Sequence, residues 1–332
     1  MPEVSSLFNG IQIGAESTPG TSVAASKLLN YLSFQPTFWA GDFNAMHPIG
    51  QKAASGVAPG LDYTNWALNS DVGSYSEYIY PFCSLLQNVT PTTVDTSAKL
   101  WTFVPTGRSE DTIKTYTVET GSATRAQKAT YILVTGLEMT FNRTNGVTCT
   151  GTALGQNIQD NITLTGSPTA IEDQLILPTH LNVYVDSTSG AVGTTKLTRD
   201  FNAVFRYNDA RTAVWPINSA NASYVSHTET FPTVQIELTV EADSSGMAFL
   251  PIARAGTSQY IRLEAVSTVL AGAATAKYQM QIDMAGKVTG ISGPDDNDGI
   301  KAVTYTFDAF YDAAWGAGKF LTLGYQNKTA TL

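Results

Sequence analysis

Thr233-Val234-Gln235-Ile236-Glu237-Leu238-Thr239-Val240-Glu241 alternates without interruption. Val234, Ile236, Leu238 and Val240 fall on one side; Thr233, Gln235, Glu237, Thr239 and Glu241 fall on the other. Successive side chains of a strand point to opposite faces, so the pattern predicts one dry face and one wet face. Nine residues at ~3.3 Å each extend roughly 30 Å, long for a strand. Its amides need partners on both edges and its apolar face needs a cover. The rest of the chain is read for what supplies them, and for what the acidic face looks at.

The chain has 332 residues, room for two ordinary domains or one large β domain. Hydrophobic residues make up 43% and charged residues 14%, against a usual charged share of ~25%. Such a surface is covered by Thr, Ser, Asn and Gly, or is partly buried in an assembly. The net charge of −9 and pI of about 4.8 argue against a nucleic-acid-gripping surface. They permit a surface past which nucleic acid slides. Cys83 and Cys149 read as small buried hydrophobes rather than a disulfide or metal site. Met1 to Gly10 lacks the basic and apolar regions of a signal peptide, and no apolar run of about 18 residues predicts a membrane span. Asn-x-Ser/Thr triplets at Asn88, Asn142, Asn161, Asn221 and Asn327 read as chance in a Thr/Asn-rich chain.

Residues 1–26 are Gly, Ser, Thr and Ala rich and read as an extended arm that lies on something else. Residues 27–37 turn strand-like, and 39–61 form a Gly-punctuated loop. Ser74 and Glu77 make a capping box for a helix carrying Tyr78, Ile79, Phe82 and Leu85, with Pro81 expected to kink it. A strand is predicted at 100–104, and 105–127 reads as an exposed loop or small hairpin. Tyr131 to Phe141 alternates, and Arg143-Thr144-Asn145-Gly146 then predicts a hairpin to 147–154. The polar connector 155–177 is the candidate boundary between a first β domain, 27–165, and a second, 166–332. Strands are predicted at 181–185, 196–207, 260–266, 278–284, 303–311 and 320–325, with a loop at 208–231. A second short helix at 247–255 is capped by Asp243 or Ser244 and ended by Gly256. Tyr78-Ile79-Tyr80-Pro81-Phe82 parallels Ala248-Phe249-Leu250-Pro251-Ile252, and Leu137 to Asn142 parallels Val303 to Asp308. A repeat of roughly 160–170 residues fits a duplicated β domain, with compositional likeness as the alternative.

Catalytic constellations are missing from the sequence. His47, His180 and His227 are scattered, and no Gly-x-Ser-x-Gly elbow occurs. Gly316-Ala317-Gly318-Lys319-Phe320 lacks the upstream glycine and the Ser/Thr of a phosphate loop. Gly293 to Gly299 resembles a calcium loop but has Pro294 at its first ligand position and no closing Glu, so it reads as a solvated turn. Glu237, Glu241 and Glu264 suit a solvated or lumen-lining face better than paired catalytic acids. No enzyme activity, metal or cofactor is expected.

Residues 11–25, Ile11-Gln12-Ile13-Gly14-Ala15-Glu16-Ser17-Thr18-Pro19-Gly20-Thr21-Ser22-Val23-Ala24-Ala25, resemble the opening of major tail tube proteins of long, non-contractile-tailed bacteriophages. Leu181 to Arg199, Leu238 to Ala242 and Tyr305-Thr306-Phe307 are similar to the same family. The resemblance implies a mainly β chain with two tandem tail-tube-type β-sandwich or barrel domains, each with a short flanking helix. In such tubes the inner sheets of neighbouring subunits join into one lining barrel, so open edges become assembly contacts. The implied protein is a virion component assembled in the host cytoplasm. A trimeric ring with pseudo-sixfold symmetry is favoured over a hexamer, because each half has the size of one family domain. The N-terminal arm is not repeated in the second half. Ile11, Ile13, Pro19 and Val23 of the arm are expected to bridge stacked rings. Loops 105–127 and 208–231 are open to decoration or inter-ring roles. Implied partners are further copies, a tape measure protein in the lumen, and tail tip and terminator proteins. Genomic DNA passes without specific binding. A lumen lined by Glu138, Thr140, Gln235, Glu237, Thr239 and Glu241 would repel phosphates that bind Lys and Arg avidly. The alternatives are another β-rich virion protein, a capsid decoration or adhesion module, and a carbohydrate-binding or hydrolytic β-sandwich.

Overall fold

The computed structural model describes residues 9–38, 41–217 and 222–332; residues 1–8, Trp39 and Asn221 among the positions discussed above lie outside them. The alternating stretch is a strand, as its periodicity dictates, and the chain around it is mainly β. In order, the strands are β1 (Gly10–Ala15), β2 (Lys27–Leu29), β3 (Ser33–Phe38), β4 (Phe43–Met46), β5 (Gly56–Pro59) and β6 (Thr64–Ser70), followed by helix α1 (Ile79–Leu85). Next come β7 (Thr92–Asp95), β8 (Ala98–Phe103), β9 (Tyr116–Gly121), β10 (Ala126–Asn142), β11 (Gly146–Gly155), β12 (Ile158–Ile162) and β13 (Thr169–Ala170). The second half holds β14 (Leu181–Asp186), β15 (Asp200–Asn208), β16 (Arg211–Val214), β17 (Ser226–Glu229) and β18 (Thr233–Glu241). Helix α2 (Phe249–Ala255) precedes β19 (Gln259–Leu270), β20 (Lys277–Asn297), β21 (Ile300–Ala309) and β22 (Leu321–Asn327).

Most of these strands form one connected network that curls into a barrel-like body. Traced pair by pair, its longest sheet runs β3-β6-β11-β10-β15-β18-β21-β20, all antiparallel. The second layer has two parts: β2-β1-β9-β10-β12 and β14-β19-β20-β22-β8-β7. β10 and β20, of 17 and 21 residues, pass from one layer to the other. Each changes register where it enters the long sheet, between Val134 and Gly136 and between Val288 and Gly290. Such an irregularity bends a strand, which lets one strand serve two sheets.

The strand orders repeat. β3-β6-β11-β10 is followed by β15-β18-β21-β20 in the long sheet, and β1-β9-β10-β12 matches β14-β19-β20-β22 in the other layer. Two expectations are corrected by this order. Residues 10–15 are not a free arm: β1 is zipped between β2 and β9, and β14 occupies the equivalent place in the second half. The parallel between Leu137–Asn142 and Val303–Asp308 is out of step, because the first lies in β10 and the second in β21, whose topological counterpart is β11. Alternation with period two looks alike in adjacent strands, so it cannot identify which strand is which. Each helix follows a long-sheet strand, β6 or β18.

Both layers bury one core. Ile236, Leu238, Leu137, Met139 and Phe205 face it from the long sheet, and Ile261, Leu263, Ile282 and Leu323 from the other layer. All seven residues of α1 are buried in it, with Phe82 stacked near Phe103 and Tyr325. Ser74 Oγ accepts the Glu77 amide as the capping signal predicts. The Glu77 carboxylate does not reach back, however; it accepts the amides of Asn30, Tyr31 and Leu32 and anchors the turn before β3. Pro81 sits in the first turn of a short helix, where its amide has no intrahelical partner, so the expected kink has no cause. Asp243 Oδ1 caps the turn that leads to α2, and Gly256 ends it at φ 62°.

Four stretches read as loops carry strands. Residues 105–127 contain the buried β9, whose polar-looking Thr117 and Glu119 mask its interior position. The connector 155–177 contributes β12 and β13. Segments 39–61 and 208–231 each hold a two-stranded hairpin, β4–β5 and β16–β17. The halves interlock, because β7 and β8 of the first extend the sheet of the second. The Arg143–Gly146 hairpin forms as predicted, with Gly146 at φ 78°.

Candidate functional site

Two features stand out: a continuous polar face on the long sheet, and the contrast between the sheet's centre and its ends. Paired residues of an antiparallel ladder share a face. Glu138, Arg206, Gln235, Asp308 and Lys287 therefore lie in one row across five strands. Thr140, Val204, Glu237 and Thr306 form the next row, and Asn142, Asn202, Thr239 and Thr304 the third. Glu241 pairs with Ala302 beyond them. All six residues singled out from β10 and β18 thus occupy this face.

The face is not a bare acidic surface. Arg206 Nε donates to Glu138 at 2.7 Å, and its Nη1 lies 2.8 Å from Glu237. Glu241 is paired with Arg199 at 2.7 Å. Gln235 donates to Asp308, and the Thr239 and Thr304 hydroxyls bond at 2.9 Å. Repulsion by unpaired carboxylates is therefore replaced by a largely neutralised lattice of hydroxyls, amides and ion pairs. Arg206 was not singled out from the sequence; a lone Arg between buried aromatics signals nothing until β10 and β18 flank it. Glu264 lies in the other layer and faces Asn182, Tyr184 and Gln279, so the three strand carboxylates do not converge.

In the middle of the long sheet, β10 pairs with β15, and both are covered: Leu137 is 1% exposed and Phe205 0%. At the ends the equivalents are open. β3 pairs only with β6 among the described strands, so its outer edge is unpaired although its Phe34 is buried in the core. From Val288 to Asn297, β20 pairs only with β21, and Ile291, which follows the register change as Leu137 does, is 44% exposed. The Gly293–Gly299 segment forms the tip of this β20–β21 hairpin, a turn at Asp298-Gly299.

The hairpin β16–β17 projects from the second half and packs on the first. Tyr224 donates from its hydroxyl to the Tyr131 carbonyl at 2.6 Å, and Gln156 Nε2 donates to the Tyr224 carbonyl at 2.8 Å. Ala213 and Tyr224 form an apolar cluster with Tyr131, Tyr63, Leu154 and Trp215. His227 Nδ1 meets the Tyr131 hydroxyl at 3.0 Å, and burial holds its pKa below the usual value. Arg211 is buried against the Leu86 carbonyl and Glu229.

Of the residues expected to bridge rings, Ile13 is fully buried in the core and Ile11 half-buried in β1, which commits both to their own chain. Pro19 is exposed and Val23 half-buried, its amide donating to Thr117 Oγ1. His47 is exposed, His180 is buried against Tyr75, and no described group of three or more His, Cys, Asp or Glu is placed to hold a metal. Lys319 of the glycine-rich turn lies over the Trp315 ring. Among the described residues, no helix is long and apolar enough to cross a membrane. Cys83 and Cys149 are buried and free. Compared with models of known families the chain matches none, and comparison with curated proteins likewise gives no match.

Proposed function

We propose that the chain is a self-assembling structural subunit of a hollow tube, the major tail tube protein of a long non-contractile phage tail, built from two tandem copies of one β domain. One observation carries this reading. The β10–β15 junction inside the chain joins the end of one strand set to the start of the next, and the same two kinds of edge, β20 and β3, lie open at the ends of the sheet. Pairing β20 of one copy with β3 of the next repeats the internal junction. Pro36 in β3 lacks an amide donor, so the inter-copy ladder has at most one donor fewer at that position.

An interface that joins different patches head to tail closes into a ring when its rotation allows. Three copies, each giving two strand sets, make a pseudo-sixfold ring with about 24 strands around the bore, since a barrel widens with strand number. The row of Glu138, Arg206, Gln235, Asp308 and Lys287 then lines the bore, with Lys287 held over the Phe310 ring. A phosphate backbone finds few free cations there and is not held. A tape measure protein during assembly and the genome at ejection would share that bore. Ring stacking, tip and terminator proteins complete the partner set.

Electron microscopy of the purified protein across a concentration series tests the reading. Stacked rings or tubes are the expected result. Discrete particles without a bore at every concentration would refute it and favour a decoration or adhesion module.

A further inference from the structure

The two projecting hairpins have matching registers. In β4–β5, Phe43 pairs with Pro59 and Ala45 with Val57. In β16–β17, Arg211 pairs with Glu229 and Ala213 with His227. Each hairpin lies between the first two strands of its set, β3 and β6 or β15 and β18. Their surroundings differ. Arg211 and Ala213 are buried on the first half of the chain, whereas Phe43 is 64% and Val57 60% exposed. The face bearing Phe43, Ala45, Val57 and Pro59 is wholly apolar and has no cover among the described residues.

The surface that receives β16–β17 on the first half also has a counterpart on the second. Tyr63 and Leu154, at the start of β6 and the end of β11, help hold Tyr224 and Trp215. The equivalent ends of β18 and β21 border an open cleft of about 730 Å³, with Phe231, Val234, Tyr311 and Phe320 in its wall and the 106–110 segment of the first half along one side, where Arg108 lies over the Tyr311 ring. Phe231 at its mouth is 97% exposed. One half thus has a filled site and the other an empty one, while one hairpin is seated and the other is not.

We propose that the β4–β5 hairpin of one copy seats in this cleft on the second half of the neighbouring copy, as a lock beside the β20–β3 pairing. It rests on the ring reading above. The occupant is a second copy because the chain itself supplies the template. Same-register hairpins on equivalent strands reach equivalent sites, and an apolar hairpin face meets a cleft with Phe231, Tyr311 and Phe320 in its wall. In the internal version, Asp62 donates its amide to the Ala222 carbonyl at 3.1 Å and bridges Ser223. Counting back from β17 and β5, Ser223 corresponds to Ala53. Aligned through their partner strands, where Leu68 pairs with Gly151 and Leu238 with Tyr305, Asp62 corresponds to Pro232, which keeps the position but has no amide hydrogen to donate.

Two single variants, A53C and P232C, test the contact. Mixed in equal amounts, assembled and exposed to mild oxidant, they should give covalent dimers that neither gives alone. F43D should raise the assembly concentration at least tenfold without changing the melting temperature of the unassembled chain. Rings that form without A53C–P232C dimers, together with F43D assembling like wild type, would overturn the hairpin seat and leave the ring reading intact. Dimers cross-linked in mixtures that never form rings would support the seat and refute the tube. Failure of both rings and cross-links refutes both.

Discussion

Ile291→Lys isolates the sheet edge from the stability of the fold. In the free chain this side chain is 44% exposed, whereas Leu137, at the same place after the register change of β10, is 1% exposed. Full burial of an Ile is worth ~1.5–3 kcal/mol, so covering the exposed part of Ile291 contributes about 1 kcal/mol per interface. A ring of three copies has three such interfaces and loses about 3 kcal/mol, on the order of a hundredfold in the ring-forming equilibrium. The Lys ammonium adds to this where the neighbouring strand hinders its access to water. Sedimentation velocity across a concentration series measures the effect. Thermal unfolding of unassembled I291K should show a loss of about 1 kcal/mol at most, because the buried part of Ile291 contributes a similar amount to the fold and the Lys stem retains some of it. Leu137→Ala is the contrast: it removes core volume and should cost ~2–5 kcal/mol of folding stability. If I291K assembles at the wild-type concentration, the exposed end of β20 is not an assembly edge and the reasoning fails.

Arg206→Ala leaves Glu138 and Glu237 facing each other across β15. The two half-exposed pairs are worth ~0.2–1 kcal/mol each, so urea unfolding should show a loss of about 1 kcal/mol that added salt partly restores by screening. Glu237→Lys with Glu241→Lys places free cations on the proposed inner face. Tubes of normal length with slowed ejection are expected, and normal ejection kinetics would remove that face from the bore. His180 and His227 both have pKa values lowered from 6.5 chiefly by burial. The unfolded chain then binds protons more readily than the fold, so stability is present above pH ~6.5 and lost as pH falls below it; urea midpoints at pH 7.5 and 5.5 should differ, and less so in H227Q. Burial pushes the Cys83 thiol up to about 12, and Cys149 is likewise raised by burial. Neither should react with a thiol reagent at pH 8 until the chain is unfolded; prompt labelling of the native protein would contradict their burial.

The strands with one wet face were legible because period-two alternation follows from backbone geometry alone. Thr233–Glu241, Leu181–Asp186 and the hairpin at Asn145-Gly146 needed no tertiary information. β9 was not legible. Its Thr117 and Glu119 are buried because Glu16 accepts from Thr117 Oγ1 and the Glu119 carboxylate accepts from Thr165, partners distant in sequence. Pro81 misled for a local reason: a kink presupposes a longer helix than the one that forms.

The amino-acid sequence on its own determined the class of the chain: β strands with one dry face, two short helices with Pro near their starts, buried thiols and a surface poor in charge. Those features depend on side-chain type and local spacing, which a linear chain already contains. Only the tertiary structure decided that β1 has a counterpart in β14, that Arg206 neutralises the acidic row, and that one strand edge is covered where its twin is open. Each is a pairing between segments far apart in the chain, and a period-two pattern carries no label saying which strand lies beside which.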